Sequence, residues 1–460
     1  MPHKSSHSAR QRLCARAINL KITMHTDFAP KPPLGWNSYD CFGSDVTEAE
    51  IRENAAFMAE HLKPAGWEYV VVDFCWSHPA PGACANPHIG KGMQPLLHVD
   101  LHGRLIPAPN RFPSSVGGAG FKPLADHVHG LGLKFGIHLM RGIPRQVTGD
   151  YFQIEGSEYT THDVGTGLVE CVWLDHMETV NTRHPAGQAY YDSCFRLYAS
   201  WGVDFVKVDD ILADGTDRGM GPYHGSEIDA IRAAIDNCGR PIVLSLSPGD
   251  APVASTEHLR NNANMWRMSA DFWDDWPKLK RMFSLCARWW RYRQPGAWPD
   301  ADMLPLGRIC KRGPKRPERD SRFTPDEART MLSLWAIFRS PLMMGGHLPE
   351  TDAATLALLT NREVLEVNQD CVGGKPLPGT DPTLPVWVSE YPNRGDKVIA
   401  LFNLRDVEAE NAVSLASIGI SSGARARDLW AGQDLEPLTG ITLSRKLPPH
   451  GSLLLRVTRG

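Results

Sequence analysis

The sequence predicts an α/β protein, a (β/α)8 TIM barrel followed by a C-terminal antiparallel β-sandwich domain. Two observations favour this fold class. About eight units of a buried strand followed by a helix succeed one another, which is the pattern of a closed parallel barrel. After about Asp370 the pattern changes to short strands between Gly, Pro and Asp turns, which is typical of a small antiparallel β domain. The chain of 460 residues is long enough for both domains.

The barrel strands are predicted from short apolar runs that are rich in β-branched residues. In chain order they lie at 32–39, 68–74, 133–140, 204–210, 242–247, 264–269, 298–303 and 340–346. Helical periodicity and capping residues predict helices at 47–62, 122–129, 188–201, 226–237, 276–290 and 325–338. A doubly wound open sheet is the alternative, but no Gly-rich phosphate turn follows the first strand.

These patterns divide the chain into three parts. A flexible N-terminal extension is expected at 1–29, a catalytic barrel at 30–369 and a β domain at 370–460. The short strands predicted in the β domain lie at 386–388, 397–403, 412–415, 426–429 and 452–457. We find no internal repeat, so the β domain is expected to form one compact sandwich.

The composition limits the classes of partner. A net charge of −3 gives no electrostatic basis for binding nucleic acid or anionic membranes, and no run reaches the roughly 18 apolar residues of a membrane span. The ten cysteines show no metal-type spacing. The polar N-terminus lacks the apolar core of a signal peptide, so a cytoplasmic protein is expected. If translation begins elsewhere, for instance at Met24, a periplasmic or secreted location is the alternative. A homo-oligomer stays open.

One strand stands out for its charged residues. In Asp204–Asp210, Lys207 and Asp209 share a face because side chains alternate along a strand. A buried Lys needs a partner, so we expect the two to pair. The pairing would hold Asp209 ionised, which suits a nucleophile. The alternative is an ion pair with a purely structural role, since such pairs also perturb pKa values.

Other polar residues also stand at predicted strand ends, where barrel enzymes carry their working groups. They are Asp73, His138, Ser247, Asp271, Asp300 and Asp302. Two carboxylates from different strands, one ionised and one able to give a proton, are what glycoside hydrolysis requires. We therefore pair Asp209 with Asp271. A metal site with His138 is one alternative, but no H-x-H or H-E-x-x-H motif appears. A catalytically inactive sugar-binding protein is another.

Taken together, the motifs of this chain resemble those of glycoside hydrolase family 27, the α-galactosidase and α-N-acetylgalactosaminidase group. The resemblance rests on ordered motifs at 33–40, 72–76, 133–138, 206–210, 266–271, 300–304 and 340–346. It implies hydrolysis with retention through a glycosyl-aspartate, with a sugar or oligosaccharide as substrate and with neither metal nor cofactor. By position, Asp209 matches the nucleophile and Asp271 the acid/base. Lys207, Arg267 and Asp73 match residues that hydrogen-bond the sugar, and Tyr39 matches an aromatic residue against its face. The other candidate substrate-binding residues are Phe74, His138 and Ser247.

The departures from the family pattern concern which sugar is bound. Galactosidases of this family usually carry two adjacent acids after the second strand, whereas the second is Phe74 here. A Cys common after the nucleophile strand is Ile211, and His347 replaces an Asp common after the Gly-Gly pair. Ser247 stands where galactosidases often have Glu. Terminal α-galactosides are the expected substrates, and the alternatives are β-L-arabinopyranosides, α-N-acetylgalactosaminides and isomaltose release from dextran.

Two long insertions, at 77–120 and 141–185, follow the second and third predicted strands. Long loops in compact domains are usually functional or disordered, and these leave the catalytic face of the barrel. We expect them to wall the pocket, with Trp173 as a candidate platform in the leaving-group subsite. The alternative is that they only decorate the surface.

Overall fold

The computed structural model describes residues 24–81, 96–212, 222–315, 317–421 and 423–458. Within them, eight strands form one parallel sheet. The strands are β1 (Leu34–Asn37), β2 (Tyr69–Val72), β3 (Lys134–Met140), β4 (Phe205–Asp209), β5 (Val243–Leu246), β6 (Met265–Arg267), β7 (Trp298–Asp300) and β8 (Leu342–Met344). They coincide with the eight predicted strands, although each is shorter than predicted or matches it in part.

The sheet closes into a barrel. Its order is β8-β1-β2-β3-β4-β5-β6-β7, so consecutive strands are neighbours and the last returns to the first. The remaining gap is bridged just after β7, where the backbone N–H of Leu304 donates to the carbonyl of Met343 at 2.8 Å. Leu304 also forms a parallel bridge with Met344. A parallel sheet of this order needs a crossover between every pair of strands, which the intervening helices supply.

Helices surround the strands. They are α1 (Tyr39–Phe42), α2 (Glu48–Phe57), α3 (Lys122–Gly130), α4 (Arg145–Thr148), α5 (Pro185–Trp201), α6 (Gly225–Asn237), α7 (Thr256–Asn262), α8 (Trp276–Trp289), α9 (Pro325–Phe338), α10 (Ala353–Thr360) and α11 (Arg362–Asp370). Capping explains the start of α9: the hydroxyl of Thr324 accepts from the N–H of Glu327, whose carboxylate accepts in return from the N–H of Thr324. The helices α1, α4, α7, α10 and α11 were not predicted.

The barrel has two apolar layers. Tyr69, Val71, Phe205, Val243 and Met265 fill its interior below the site. A larger cluster packs the outward faces of the strands against the helices. This division follows from the strand pleat, because alternate residues point to opposite faces. Polar residues at the carboxyl ends of the strands are therefore left above a filled core.

The C-terminal part is a β-sandwich, as predicted. Its strands are β9 (Val372–Pro376), β10 (Val386–Glu390), β11 (Lys397–Phe402), β12 (Ala409–Ser414), β13 (Arg425–Asp428), β14 (Gln433–Asp434), β15 (Thr442–Leu447) and β16 (Ser452–Thr458). Six of them form the sheet β9-β10-β11-β16-β13-β14, and β12 pairs with β15. Val386, Ile399 and Leu455 from the first sheet pack on Val413 and Leu443 from the second. The strands β9, β14 and β15 were not predicted.

Two chain segments outside the barrel strands and helices also make defined contacts. Of the N-terminal extension, Ala29 is buried and its carbonyl accepts from the indole of Trp298 at 2.8 Å. The second insertion forms a short antiparallel pair, Ile143–Pro144 with Met177–Glu178. No helix in the described ranges combines the length and apolar character that a membrane span requires.

Candidate active site

A cavity of about 410 Å³ opens at the carboxyl ends of the barrel strands. Eight of the predicted site residues line it: Tyr39, Asp73, Phe74, Trp173, Lys207, Asp209, Arg267 and Asp271. Its remaining lining residues are Asp40, Val172, Pro248, Ala270, Phe272, Trp273, Asp302 and Met303. Polar groups are thus brought together from five of the strand ends, those of β1, β2, β4, β6 and β7, although the chain separates them by more than two hundred positions.

Asp209, the last residue of β4, is held by hydrogen bonds rather than by a direct ion pair. One carboxylate oxygen lies 3.0 Å from Nε2 of His138 on β3, and the other accepts from the backbone N–H of Asp210 at 3.1 Å. Burial alone would raise the pKa of Asp209, but the His138 hydrogen bond and the charge of Lys207 outweigh it and lower that pKa. The carboxylate is therefore ionised.

Lys207 pairs with Asp73 and not with Asp209, so the predicted contact within the strand is wrong. Its ammonium lies 3.0 Å from the Asp73 carboxylate, which also accepts from the side chain of Asn37 at 2.7 Å. Burial opposes ionisation of Asp73, but Lys207, His138 and the hydrogen bonds prevail and lower its pKa to about 2. The physical reason is convergence: side chains at the ends of different strands meet in the mouth of the barrel, where Oδ2 of Asp73 lies within reach of both Lys207 and Asn37.

Arg267 and Asp271 form a looser pair than the sequence indicates. The strand β6 ends at Arg267, so the chain turns before Asp271. The Arg267 guanidinium is 2.5 Å from Asp302 and 3.5 Å from Asp271. Burial raises the pKa of Asp302 and the charge of Arg267 opposes that rise. The side chain of Asp271 is 56% exposed, so it stands at the rim where a leaving group or a water molecule can approach.

Two predicted residues lie behind the cavity. His138 reaches the site through Asp209, and its ring is fixed by packing against Phe74 at 5.4 Å between centroids. Ser247 faces a small internal cavity of about 20 Å³ that it shares with Lys207 and Arg267. Among the described residues its hydroxyl has no hydrogen-bond partner. His138 and Ser247 therefore lie next to residues that line the 410 Å³ cavity but do not line it themselves.

Aromatic rings form one wall. Phe74, only 4% exposed, meets Trp173 edge to face at 5.9 Å. Tyr39 receives the Lys207 ammonium over its ring at 5.6 Å. Trp173 and Val172 come from the second insertion, so that insertion contributes to the wall as expected. The described residues of the first insertion do not line the cavity; residues 82–95 of it lie outside the described ranges.

Sequence reasoning left eight of the lining residues out of the candidate site, among them Asp302, Asp40 and Trp273. Asp302, named as a strand-end acid, contacts Arg267 and accepts from the N–H groups of Phe272 and Met303 at 2.7 and 2.8 Å. Asp40 is buried, and burial raises its pKa well above the usual range. Trp273 follows Asp271 by two residues. The signal that could have found them is adjacency to predicted site residues. The described residues include no group of three or more metal-ligand side chains.

The arrangement suits chemistry with two carboxylates of different character. Asp209 is mostly buried and ionised, whereas Asp271 is exposed, and both line one cavity. Fixed polar groups around them, Asp73 with Lys207 and Arg267 with Asp302, offer donors and acceptors for hydroxyl groups. The aromatic wall offers an apolar surface on which the C–H face of a sugar ring can pack.

Comparisons with known proteins agree with this geometry. A family model described as alpha galactosidase A matches residues 155–370, and one described as the alpha galactosidase C-terminal beta sandwich domain matches 381–457. A β-L-arabinopyranosidase of glycoside hydrolase family 27 from Geobacillus stearothermophilus is 48% identical, with a TM-score of 0.90 over 95% of this chain and 99% of that one. Alpha-galactosidases of Arabidopsis thaliana and Coffea arabica are 27% and 29% identical, over 97% and 93% of this chain and 94% and 93% of their own. The chain belongs to glycoside hydrolase family 27 and is a glycosidase.

Proposed function

We propose that this glycosidase removes terminal sugars of galactose-like configuration with retention, using Asp209 as the nucleophile and Asp271 as the acid/base. The observation that carries the proposal is the contrast between the two carboxylates. The side chain of Asp209 is only 14% exposed, and its lowered pKa keeps it ionised. Asp271 is exposed at the rim of the same cavity. A retaining glycosidase needs one group of each kind on opposite sides of the scissile bond.

The chemistry follows from the contacts of Asp209. Each of its oxygens accepts one hydrogen bond, so each keeps a lone pair for attack. One oxygen bonds to the anomeric carbon while the bond to the leaving oxygen breaks and Asp271 gives that oxygen a proton. In the second step Asp271 takes a proton from water, the water oxygen bonds to the anomeric carbon, and Asp209 is released. Two inversions give net retention.

Phe74 supports β-L-arabinopyranosides as the preferred substrates. This sugar has the ring geometry of an α-galactoside but lacks the sixth carbon with its hydroxyl. The buried Phe74 ring, held by His138 and Trp173, puts an apolar surface where galactosidases of the family usually carry a second acid. Such a surface offers no acceptor for a hydroxyl and takes up volume. The relative with 48% identity is a β-L-arabinopyranosidase, which points the same way.

Alpha-galactosides are the second candidate. The curated relatives at 27% and 29% identity that cover nearly the whole chain carry that name. The polar groups Asp73, Lys207, Arg267 and Asp302 do not depend on the sixth carbon, so both sugars can use them. Nitrophenyl derivatives of the two sugars separate the candidates: we expect the larger kcat/KM with the arabinopyranoside, and a larger value with the galactoside would reverse the preference.

Proton NMR and azide rescue test the roles of the aspartates. We expect the first-formed sugar to keep the anomeric configuration of the substrate, since an inverted product would rule out the covalent mechanism. Asp209→Ala should lose activity on every substrate. Asp271→Ala should lose roughly 10²–10⁴-fold on substrates with poor leaving groups. With a dinitrophenyl glycoside it should accumulate the glycosyl-enzyme, which azide converts to the retained glycosyl azide.

Asp275 supplies a matched control. Its carboxylate caps α8 by accepting from the N–H of Lys278, outside the cavity. Asp275→Ala should cost about 1 kcal/mol of stability and leave turnover unchanged. Rescue of Asp209→Ala by azide to the retained product, with none for Asp271→Ala, would reverse the two assignments.

A further inference from the structure

Arg141, the first residue after β3, is buried beneath the proposed nucleophile and makes five polar contacts. Its backbone N–H donates to the carbonyl of Asp209 at 3.0 Å. Its side chain donates from Nε to the carbonyl of Asp210 at 2.5 Å and lies 3.0 Å from the Asp210 carboxylate. The remaining contacts are to Thr179 at 3.0 Å and Glu227 at 3.1 Å. Arg141 thus holds both Asp209, the last residue of β4, and Asp210, which follows it.

Asp210 adopts a conformation that needs such support. Its φ is +56°, in the left-handed region that disfavours residues other than glycine. This conformation is strained and persists only where the surroundings enforce it. Two side chains hold the Asp210 carboxyl, the Arg141 guanidinium and the thiol of Cys171. Cys171 precedes the pocket residues Val172 and Trp173.

The orientation of Asp210 matters because its N–H donates to Asp209. That hydrogen bond, 3.1 Å long, fixes one oxygen of the nucleophile, and the backbone turns directly after it at the left-handed Asp210. Arg141 holds the peptides on both sides of Asp210: its backbone N–H donates to the carbonyl of Asp209, which belongs to the same peptide as the Asp210 N–H, and its guanidinium donates to the carbonyl of Asp210 in the next peptide. A change in the Arg141 contacts would therefore rotate the group that aims the carboxylate.

We propose that Arg141 and Asp210 form a positioning pair that aims the Asp209 carboxylate. The proposal rests on the assignment of Asp209 as nucleophile. Neither residue lines the cavity, so neither is expected to contact the sugar. Their effect should fall on the chemical steps, in both of which Asp209 makes or breaks its bond to the anomeric carbon. The binding of free sugar, which depends on Asp73, Lys207 and Arg267, should stay unchanged.

Arg141→Met is the direct test. A displacement of about 1 Å at a reacting atom costs on the order of 10²-fold, so we expect kcat/KM to fall by about 10². The dissociation constant of L-arabinose or galactose, measured calorimetrically with folded protein, should change less than about threefold on this reasoning, because the sugar-binding groups are untouched. Pre-steady-state formation of the glycosyl-enzyme from a dinitrophenyl glycoside should slow by the same factor as turnover.

Arg104→Met is the matched control. Arg104 is equally buried and paired, lying 2.8 Å from both Asp100 and Glu155, but it does not touch the nucleophile strand. Arg141→Met leaves the buried carboxylates of Asp210 and Glu227 without their partner, and Arg104→Met leaves the more exposed carboxylates of Asp100 and Glu155 without theirs, so both should lower the melting temperature. Assayed where both are folded, only Arg141→Met should lose turnover. Equal kcat values for the two variants, or a loss of sugar affinity that parallels the loss of kcat, would overturn the proposal.

Two further variants keep the test decisive if Arg141→Met does not fold. Arg141→Lys keeps the charge but cannot make the same set of contacts, so turnover should fall while sugar binding holds. Asp210→Asn removes the charge and tolerates the left-handed conformation. In the double variant with Arg141→Lys, the fold-loss of turnover should be smaller than the product of the two single losses, because both substitutions break the same pair. Independent losses would overturn the pairing, whereas an active Asp209→Ala would overturn the nucleophile assignment itself.

Discussion

Replacing Phe74 by Ala should shift the preference between the two candidate sugars. The ring is 4% exposed and sits between His138 at 5.4 Å and Trp173 at 5.9 Å. Removing it opens space next to the aspartate-lined part of the cavity without changing any polar group there. We therefore expect α-galactosides, which carry the extra hydroxymethyl group, to gain relative to β-L-arabinopyranosides.

The expected size of the shift follows from what one such group is worth. A single extra carbon in or out of an apolar pocket changes discrimination by about 1–3 kcal/mol, which is roughly 10- to 200-fold. The substitution also removes a buried aromatic ring, at a cost of about 3–5 kcal/mol in stability. Loss of support for His138 would slow both substrates alike, so the ratio of the two kcat/KM values is the informative quantity.

The assay compares nitrophenyl α-galactoside with nitrophenyl β-L-arabinopyranoside on wild type and variant. Phe112→Ala is the control, because Phe112 is equally buried but packs on Phe121 outside the cavity. It should lower stability similarly and leave the ratio unchanged. A ratio that Phe74→Ala moves by less than about twofold, well under the range for one carbon, would refute the role given to Phe74.

Two further predictions concern the wall and the floor of the cavity. Trp173→Ala should lower kcat/KM more for a natural oligosaccharide than for an aryl glycoside, by about 1–3 kcal/mol if the ring stacks on the leaving sugar; equal losses would remove it from the leaving-group subsite. Asp73→Asn should cost about 3–5 kcal/mol at pH 7 because Lys207 is left buried and unpaired. Since folding lowers the pKa of Asp73 to about 2, its stabilisation is complete above about pH 4 and is lost as the pH falls towards 2. Urea unfolding measured at several pH values should show the difference in unfolding free energy between Asp73→Asn and wild type becoming smaller in that window. The control is Asp370→Asn, at the exposed pair with Lys31, which should change the unfolding free energy by less than about 1 kcal/mol.

Element type and order could be predicted from the sequence because the hydrophobic periodicity is local. The strand around Asp209 and the helix α9, which begins after Thr324, each carry their own signal in a few residues. The helix α10, with the sequence AATLALLT, has no polar face and therefore no helical periodicity to detect. The strand β15 lies in a polar stretch, where pairing with β12 rather than composition decides the structure.

Site contacts were harder to predict because partners come from different strands. Lys207 and Asp209 share a face of one strand, yet the Lys207 ammonium reaches Asp73, which stands 134 positions earlier in the chain. The Arg267 guanidinium likewise lies nearer to Asp302 than to Asp271. Spacing along a strand shows which side chains enter the barrel mouth, but the closure of the sheet decides which of them meet.

These two pairings explain how the cavity keeps a nucleophile available. Its two cations, Lys207 and Arg267, are held by Asp73 and Asp302, so neither is in direct contact with Asp209. A carboxylate in close contact with an ammonium would be poorly placed to attack, because its lone pairs would be directed at that partner. Asp209 instead takes one hydrogen bond from an imidazole and one from a backbone N–H, while Lys207 stabilises its charge from a distance. The pairing that strand geometry alone predicts would have placed an ammonium directly against the attacking carboxylate; the observed arrangement stabilises the charge from a distance and leaves each oxygen a lone pair for attack.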